Sequence, residues 1–256
     1  MTLWFRAHTL CTVSGVKISS LVADYRKHGY AVLRNSVPQT DLDAVEDVLD
    51  SREHSWERHL QQLPGRRSWI SHAGEVTFTA RLAGTEPVLR RLLASEVLAE
   101  FRSAVVGPSV RLYFDQAVYK KPGCEQVVPW HQDDGYNPKV PSDYVTFWLA
   151  VTDTTIANGT IRFQPGRHHE GPRPHWRTSG GYLACEAGAD GGVAVELQRG
   201  DVVAFSSLLP HATGPNTTPH TRKAYIATCV PDGTRLVDGA VCNDPVDQPL
   251  LVAGDA

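Results

Sequence analysis

The sequence predicts a mainly β protein, a sandwich or jelly roll, flanked by helices. Three observations carry this. From about residue 110 onward, short runs of apolar and β-branched residues recur between clusters of Gly, Pro, Asn and Asp, the pattern of strands joined by turns. Before that point apolar residues recur at helical spacing instead. The chain has 256 residues, 41% of them hydrophobic, enough to bury one large core.

The elements follow in order. Residues 18–28 suit a short helix and 30–34 a strand. Thr40 is placed to cap a helix whose Leu42, Val45, Val48 and Leu49 form one apolar stripe. Thr85, ahead of Glu86 and Pro87, opens another, with Val88, Leu89, Leu92, Leu93, Val97 and Phe101 at helical spacing and Gly107 ending it. Strands are predicted at 111–120, 144–152, 160–164, 193–197, 202–206 and 222–230. No repeat, low-complexity tract or linker divides the chain, so residues 1–256 read as a single domain with its jelly-roll core at about 110–230.

Composition narrows the function. A net charge of -3 gives no electrostatic footprint for nucleic acid. Leu3, Trp4, Phe5 and Leu10 mimic a signal peptide weakly, but Arg6, His8 and Ser14 interrupt the apolar run and no membrane-spanning stretch follows. Residues 1–17 are therefore expected to be a frayed leader. Cys11, Cys124, Cys185, Cys229 and Cys242 are scattered, odd in number and lack Cys-x-x-Cys spacing, which points to a reducing cytoplasm.

Chemistry concentrates in His131-Gln132-Asp133-Asp134, His211 and Arg222. In an extended segment positions i and i+2 project to one side, about 7 Å apart, so His131 and Asp133 can converge on one ion while Gln132 and Asp134 point away. Asp134 would need a helical turn to share that face, and the flanking Val, Pro and Gly residues favour a strand running into a loop. Of 11 histidines, His211 is best placed as a third ligand, directly after the apolar run at 201–207. Two imidazoles and a carboxylate can hold one face of an octahedral iron(II) and leave the other open. Arg222 enters the next strand, where a guanidinium can clamp a carboxylate in a bidentate fork.

These residues resemble the phytanoyl-CoA dioxygenase family of iron(II)- and 2-oxoglutarate-dependent oxygenases. Lys121-Pro122-Gly123 precedes Trp130-His131-Gln132-Asp133, followed by Trp148-Leu149-Ala150, Asn158-Gly159 and Pro165-Gly166-Arg167-His168, with His211 eleven positions before Arg222. His-x-Asp alone would be weak evidence, but these ordered elements span residues 20 to 230. The resemblance implies a double-stranded β-helix, cupin-like core. It implies His131, Asp133 and His211 as iron ligands, Arg222 and Thr213 on the far carboxylate of 2-oxoglutarate, and Trp148 and Gln116 as pocket walls. Arg167 departs from the serine usual in that loop, which bears on substrate contacts alone.

Each residue also has a structural reading. His-x-Asp can be a polar strand edge, Arg222 an ion-pair former, Trp148 core and Thr213 a turn cap. The segment 166–177, rich in cations and aromatics, reads as a solvated loop or as a clasp for an anionic substrate. The implied activity is oxidation of an unactivated C–H bond of a small molecule by O2, with hydroxylation the default and desaturation, epimerisation or cyclisation open. Two other classes compete. A cupin-like metalloenzyme that does not use 2-oxoglutarate has no need of Arg222, and a catalytically silent binder would hold these residues only by accident. The sequence does not indicate an oligomeric state.

Overall fold

A computed structural model describes residues 12–13, 15–186, 188, 191–238 and 249–251. The helical part opens with α1 (Ile18–His28), whose Ile18, Leu21, Val22 and Tyr25 turn inward, and Gly29 ends it in the left-handed conformation. Strand β1 (Tyr30–Leu33) and helix α2 (Gln39–Leu60) follow. The helix begins one residue ahead of Thr40, with Pro38 in the N-cap position and no side-chain cap. It also runs well past Leu49, because its second half is docked by charge rather than by an apolar stripe: Glu53 pairs with Lys121, and Asp50 with Lys223 at 2.7 Å.

Strand β2 (Val76–Ala80) leads to α3 (Pro87–Leu93) and α4 (Glu96–Val106). The single helix expected after Thr85 is thus two, with Glu86 in the N-cap position and a break where Ser95 turns extended. The break lets Leu89 and Leu93 on one helix and Leu98 and Phe101 on the next all reach the same core. Buried Arg102 reaches back to cap the carbonyl of Leu93.

Further strands are β3 (Val110–Lys120), β4 (Val128–His131), β5 (Val145–Ala150), β6 (Ile161–Phe163), β7 (His175–Arg177), β8 (Leu183–Cys185), β9 (Val193–Ala194), β10 (Val202–Ser206), β11 (His211–Thr213) and β12 (Arg222–Pro231). Strands β7 and β8 pair with each other as a separate hairpin, and the others join β1 and β2 in two antiparallel sheets. The larger runs β1-β10-β5-β12-β3-β2 and continues into the hairpin Arg67–Ser68 and Ser71–His72. The smaller runs β9-β6-β11-β4. This is the jelly roll, with the helices packed on the outer face of the larger sheet. Thr213, a possible turn cap by sequence, is the last residue of β11. Of the expected leader, residues 1–11 and 14 lie outside the described residues, while Thr12–Val13 pairs with Val16–Lys17.

Strand alternation sorts the larger sheet's side chains between two cores. In β5, Val145, Phe147 and Leu149 pack beneath the helices, whereas Trp148 and Ala150 face the smaller sheet. In β12, Tyr225, Ala227 and Cys229 join the helical side, and Ala224 the space between sheets. Every residue of β5 is buried. That is why a mostly apolar run, broken by Thr146 alone, marked it in the sequence instead of a regular alternation of polarity.

Candidate metal centre

The smaller sheet brings two histidines face to face. His131 ends β4, His211 begins β11, and the antiparallel register pairs them directly. Their ring centroids lie 4.2 Å apart. Each imidazole is fixed in the same way: Nδ1 of His131 donates to the carbonyl of Pro129 at 2.8 Å, and Nδ1 of His211 to that of Leu209 at 3.0 Å. In that tautomer both Nε2 atoms are free to coordinate.

Asp133 completes the group, although not from within the strand. The strand ends at His131, Gln132 keeps an extended backbone at φ -108, ψ 141, and Asp133 opens a 3-10 turn. The extended Gln132 is enough to preserve the i, i+2 relation. Asp133 Oδ1 lies 3.4 Å from His211 Nε2 and 3.8 Å from His131 Nε2. One ligand atom from each of the three lies within 4.8 Å of the others. Thr146 donates to Oδ2 at 2.6 Å and so leaves Oδ1 turned toward the histidines. Burial, with the neighbouring His211, pushes the His131 imidazole down to about 3. Burial raises Asp133, but His211, His131 and Thr146 outweigh it and bring the carboxyl down to about 2. A neutral imidazole beside a charged carboxylate is the protonation state metal binding requires.

The residues on either side of Asp133 point elsewhere. Asp134 is buried and accepts a hydrogen bond from the Lys139 amide at 3.0 Å, and burial raises its carboxyl to about 6. Gln132 donates to the carbonyls of Gly171 at 3.0 Å and Leu208 at 2.6 Å, and accepts from the Arg173 amide at 2.8 Å. Its own amide donates to His175 Nε2 at 3.0 Å, and the His175 ring fills the space a Cβ on Gly135 would need. The segment 166–177 is therefore fastened to the strand that carries His131. It is a 3-10 turn followed by β7, and Arg177 is its residue that lines the cavity. Arg167 stands outside that lining in an ion pair with Glu170 at 3.6 Å, and His168 is buried with Nε2 on the carbonyl of Arg26.

The cavity between the sheets measures about 480 Å³ and holds all the other sequence-derived candidates on its wall: Arg222, Thr213, Trp148 and Gln116. Arg222 is 1% exposed, and among the described residues none of its three guanidinium nitrogens has a hydrogen-bond partner. The hydroxyl of Thr213 is likewise buried and unpartnered. The guanidinium lies 5.4 Å from the centroid of the Trp148 ring. A buried cation without an anion is costly, so this wall fits an anionic group with oxygens to receive the fork. 2-Oxoglutarate, chelating a metal at one end and offering a carboxylate at the other, meets that requirement. Behind Arg222, its register partner Lys120 donates to the carbonyls of Gln126 and Gly214, which steadies the turn after Thr213.

Sequence reasoning missed Thr146, Lys120 and the holding role of Gln132. Thr146 was within reach, because it sits two residues before Trp148 and shares its face. Lys120 and Gln132 carried no such signal, since their partners are backbone groups of loops and turns.

Comparison with known proteins bears on the family and the fold. The sequence profile of the family described as Phytanoyl-CoA dioxygenase (PhyH) matches residues 25–224. A dioxygenase, lolE1, from Epichloe uncinata is 25% identical over 222 residues, covering 80% of this chain and 79% of its own. Among solved structures, the non-heme alpha-ketoglutarate-dependent carbocyclase SnoK from nogalamycin biosynthesis superposes with a TM-score of 0.68 at 20% identity, covering 90% of this chain and 89% of its own. The epimerase SnoN, in complex with Fe3+, alpha-ketoglutarate and nogalamycin RO, gives 0.65 at 20% identity over 93% and 91%. At these identities the two structures speak to the fold, and the profile match to the family.

Proposed function

The chain belongs to the phytanoyl-CoA dioxygenase family, and from that premise we propose that it is an iron(II)- and 2-oxoglutarate-dependent oxygenase hydroxylating a small organic substrate in specialised-metabolite biosynthesis. The observation that carries this is the fully buried, unpartnered Arg222 beside the unpartnered Thr213, on the wall of the cavity that His131, Asp133 and His211 also line.

In this reading His131 and His211 offer Nε2, and Asp133 offers Oδ1 while Thr146 holds its other oxygen. Iron(II) and 2-oxoglutarate, when bound, supply the oxidation of an unactivated C–H bond by O2, with succinate and CO2 as co-products. The protein's own part is placement and exclusion. Arg222 receives the far carboxylate of 2-oxoglutarate in its fork, Thr213 donates a further hydrogen bond, and Trp148 fills the space beside the guanidinium and excludes water. Gln116 offers an amide to the same wall.

A small or medium-sized substrate suits the cavity volume. Relatives of this fold described as a carbocyclase and an epimerase handle a specialised metabolite, which supports that substrate class and keeps cyclisation, epimerisation and desaturation as variant outcomes of the same chemistry. A cupin-like enzyme without 2-oxoglutarate would have no use for the orphaned Arg222. Scattered free thiols at Cys124, Cys185 and Cys229 support a cytoplasmic setting. Among the described residues no helix is long and apolar enough to cross a membrane.

The test is an anaerobic 2-oxoglutarate titration of the iron(II)-loaded protein, followed by charge-transfer absorbance. Wild-type protein should bind 2-oxoglutarate, Arg222→Leu should weaken that binding by roughly one to two decades with iron affinity unchanged, and Arg222→Lys should fall between them. An unchanged dissociation constant in Arg222→Leu would favour the cupin alternative.

A further inference from the structure

The mouth of the cavity carries features that iron and 2-oxoglutarate do not use. Trp69 is 61% exposed yet lines the cavity. It holds the first position of the two-residue turn in the hairpin Arg67–Ser68 and Ser71–His72, at φ +51. Glycine or asparagine is the usual residue for a left-handed conformation at that point of a hairpin, and a bulky aromatic there is strained. The indole stands at the opening, outside both cores. From Trp69 an aromatic edge runs inward: its ring meets Tyr136 edge-on at 6.4 Å, and Tyr136 meets His131 edge-on at 5.5 Å.

Charge at this site is one-sided. Among the described residues the cavity is lined by Arg81, Lys139, Arg177 and Arg222, against a single carboxylate, Asp133. Arg222 is assigned to the co-substrate, and Lys139 is buried with Nζ on the Asn137 carbonyl and the Tyr144 hydroxyl. Arg177 differs. It stands at the mouth, donates to the carbonyl of Gly181 at 3.0 Å, and pairs with no carboxylate among the described residues. Its hairpin, β7 and β8, is seated beside Trp69: Gly181 lies against Trp69 and Ile70, and the Tyr182 hydroxyl reaches the carbonyl of Ile70. The base of that hairpin is fastened by the Gln132–His175 hydrogen bond. Arg177 and Trp69 are therefore held together at one side of the opening.

Resting on the oxygenase reading of the same cavity, we propose that the substrate carries a planar aromatic ring system and a carboxylate, the ring lying against Trp69 and Tyr136 and the carboxylate on Arg177. A flat ring matches an edge made of aromatic side chains, and an acidic group matches Arg177, a mouth guanidinium that among the described residues meets a backbone carbonyl and no carboxylate.

Calorimetry on protein saturated with iron(II) and 2-oxoglutarate under anaerobic conditions tests this with four probes: 2-naphthoate, 2-naphthamide, octanoate and octanoyl-coenzyme A. Saturation keeps the probes off Arg222. 2-Naphthoate should bind at least about tenfold more tightly than each of the others. Arg177→Gln should bring 2-naphthoate down to the level of 2-naphthamide and leave the amide unchanged. Trp69→Ala should weaken both naphthalene probes about tenfold and leave octanoate unchanged, with Trp69→Phe close to wild type. Equal binding of acid and amide, equal binding of naphthoate and octanoate, or tighter binding of the coenzyme A thioester each overturns the proposal. Failure of wild-type protein to bind 2-oxoglutarate in the preceding titration overturns the oxygenase reading itself, whereas retained 2-oxoglutarate binding without the naphthoate preference overturns this proposal alone.

Discussion

Asp133 and Asp134 are adjacent carboxylates in opposite surroundings. The extended Gln132 sends Asp133 toward two imidazoles, and the 3-10 turn beginning there folds Asp134 into the protein onto the Lys139 amide. Asp134→Asn should keep near-normal iron affinity, since an amide oxygen accepts the same bond, while Asp133→Asn should lose most of it. Iron content after gel filtration compares them, and similar loss in both would mean both carboxylates face the metal. Lys120 supplies a second prediction at this scale. Burial, with Arg222 alongside, lowers its ammonium from 10.5 to about 7. The native state then binds fewer protons than the unfolded state between those two values, so this lysine makes stability rise with pH across that window. Urea midpoints measured from pH 7 to 10 should show the rise in wild type and a flatter profile in Lys120→Met. An anion on Arg222 would favour the charged lysine again, so 2-oxoglutarate binding near pH 8 should take up protons. Calorimetry in buffers of different ionisation enthalpy reads that uptake.

At the scale of elements, β4 does two jobs at once: it pairs His131 with His211 on β11, and through Gln132 it holds the backbone of 166–177. Gln132→Ala would leave the carbonyls of Gly171 and Leu208 and the amide of Arg173 without their partner, at a cost of about 2 kcal/mol. Urea denaturation should show that loss, with faster hydrogen exchange at the Arg173 amide. An unchanged midpoint would mean water replaces the glutamine without penalty. Element boundaries were legible where packing repeats along the chain. The apolar stripe of the first half of α2 and the mostly apolar run of β5 are of this kind. The second half of α2 was not, because Asp50 and Glu53 are held by Lys223 and Lys121 from distant strands and look like a solvated face in sequence. Strand β2 was also missed, although Val76, Phe78 and Ala80 alternate with Thr77 and Thr79 at the period of a strand.

For the whole molecule, two cores share one sheet: the helices cover its outer face, and the smaller sheet closes the cavity on its inner face. Two of the candidate ligands, His131 and His211, sit on paired strands and Asp133 on the turn that follows the first, each held by hydrogen bonds to protein groups, so chelation should lower the melting temperature without unfolding the protein. Iron(II) with 2-oxoglutarate at 100 times the dissociation constant should add about 2.7 kcal/mol, a rise of roughly 5–11 °C for a chain of this size, readable by differential scanning fluorimetry under anaerobic conditions. Unfolding on chelation would instead mark the metal as structural. The sequence by itself determined the β-rich second half, the convergence of His131 with Asp133, and Arg222 at the head of a strand. Each of these follows from the two-residue period of an extended chain, which is written locally. Only the tertiary structure decided that His211 lies opposite His131, that among the described residues Arg222 and Thr213 are left without hydrogen-bond partners, that Lys120 stands behind them, and that Trp69 and Arg177 line the same cavity. Those contacts join residues far apart in the chain, and a hydrogen bond to a distant backbone carbonyl leaves no periodic trace in the sequence that makes it.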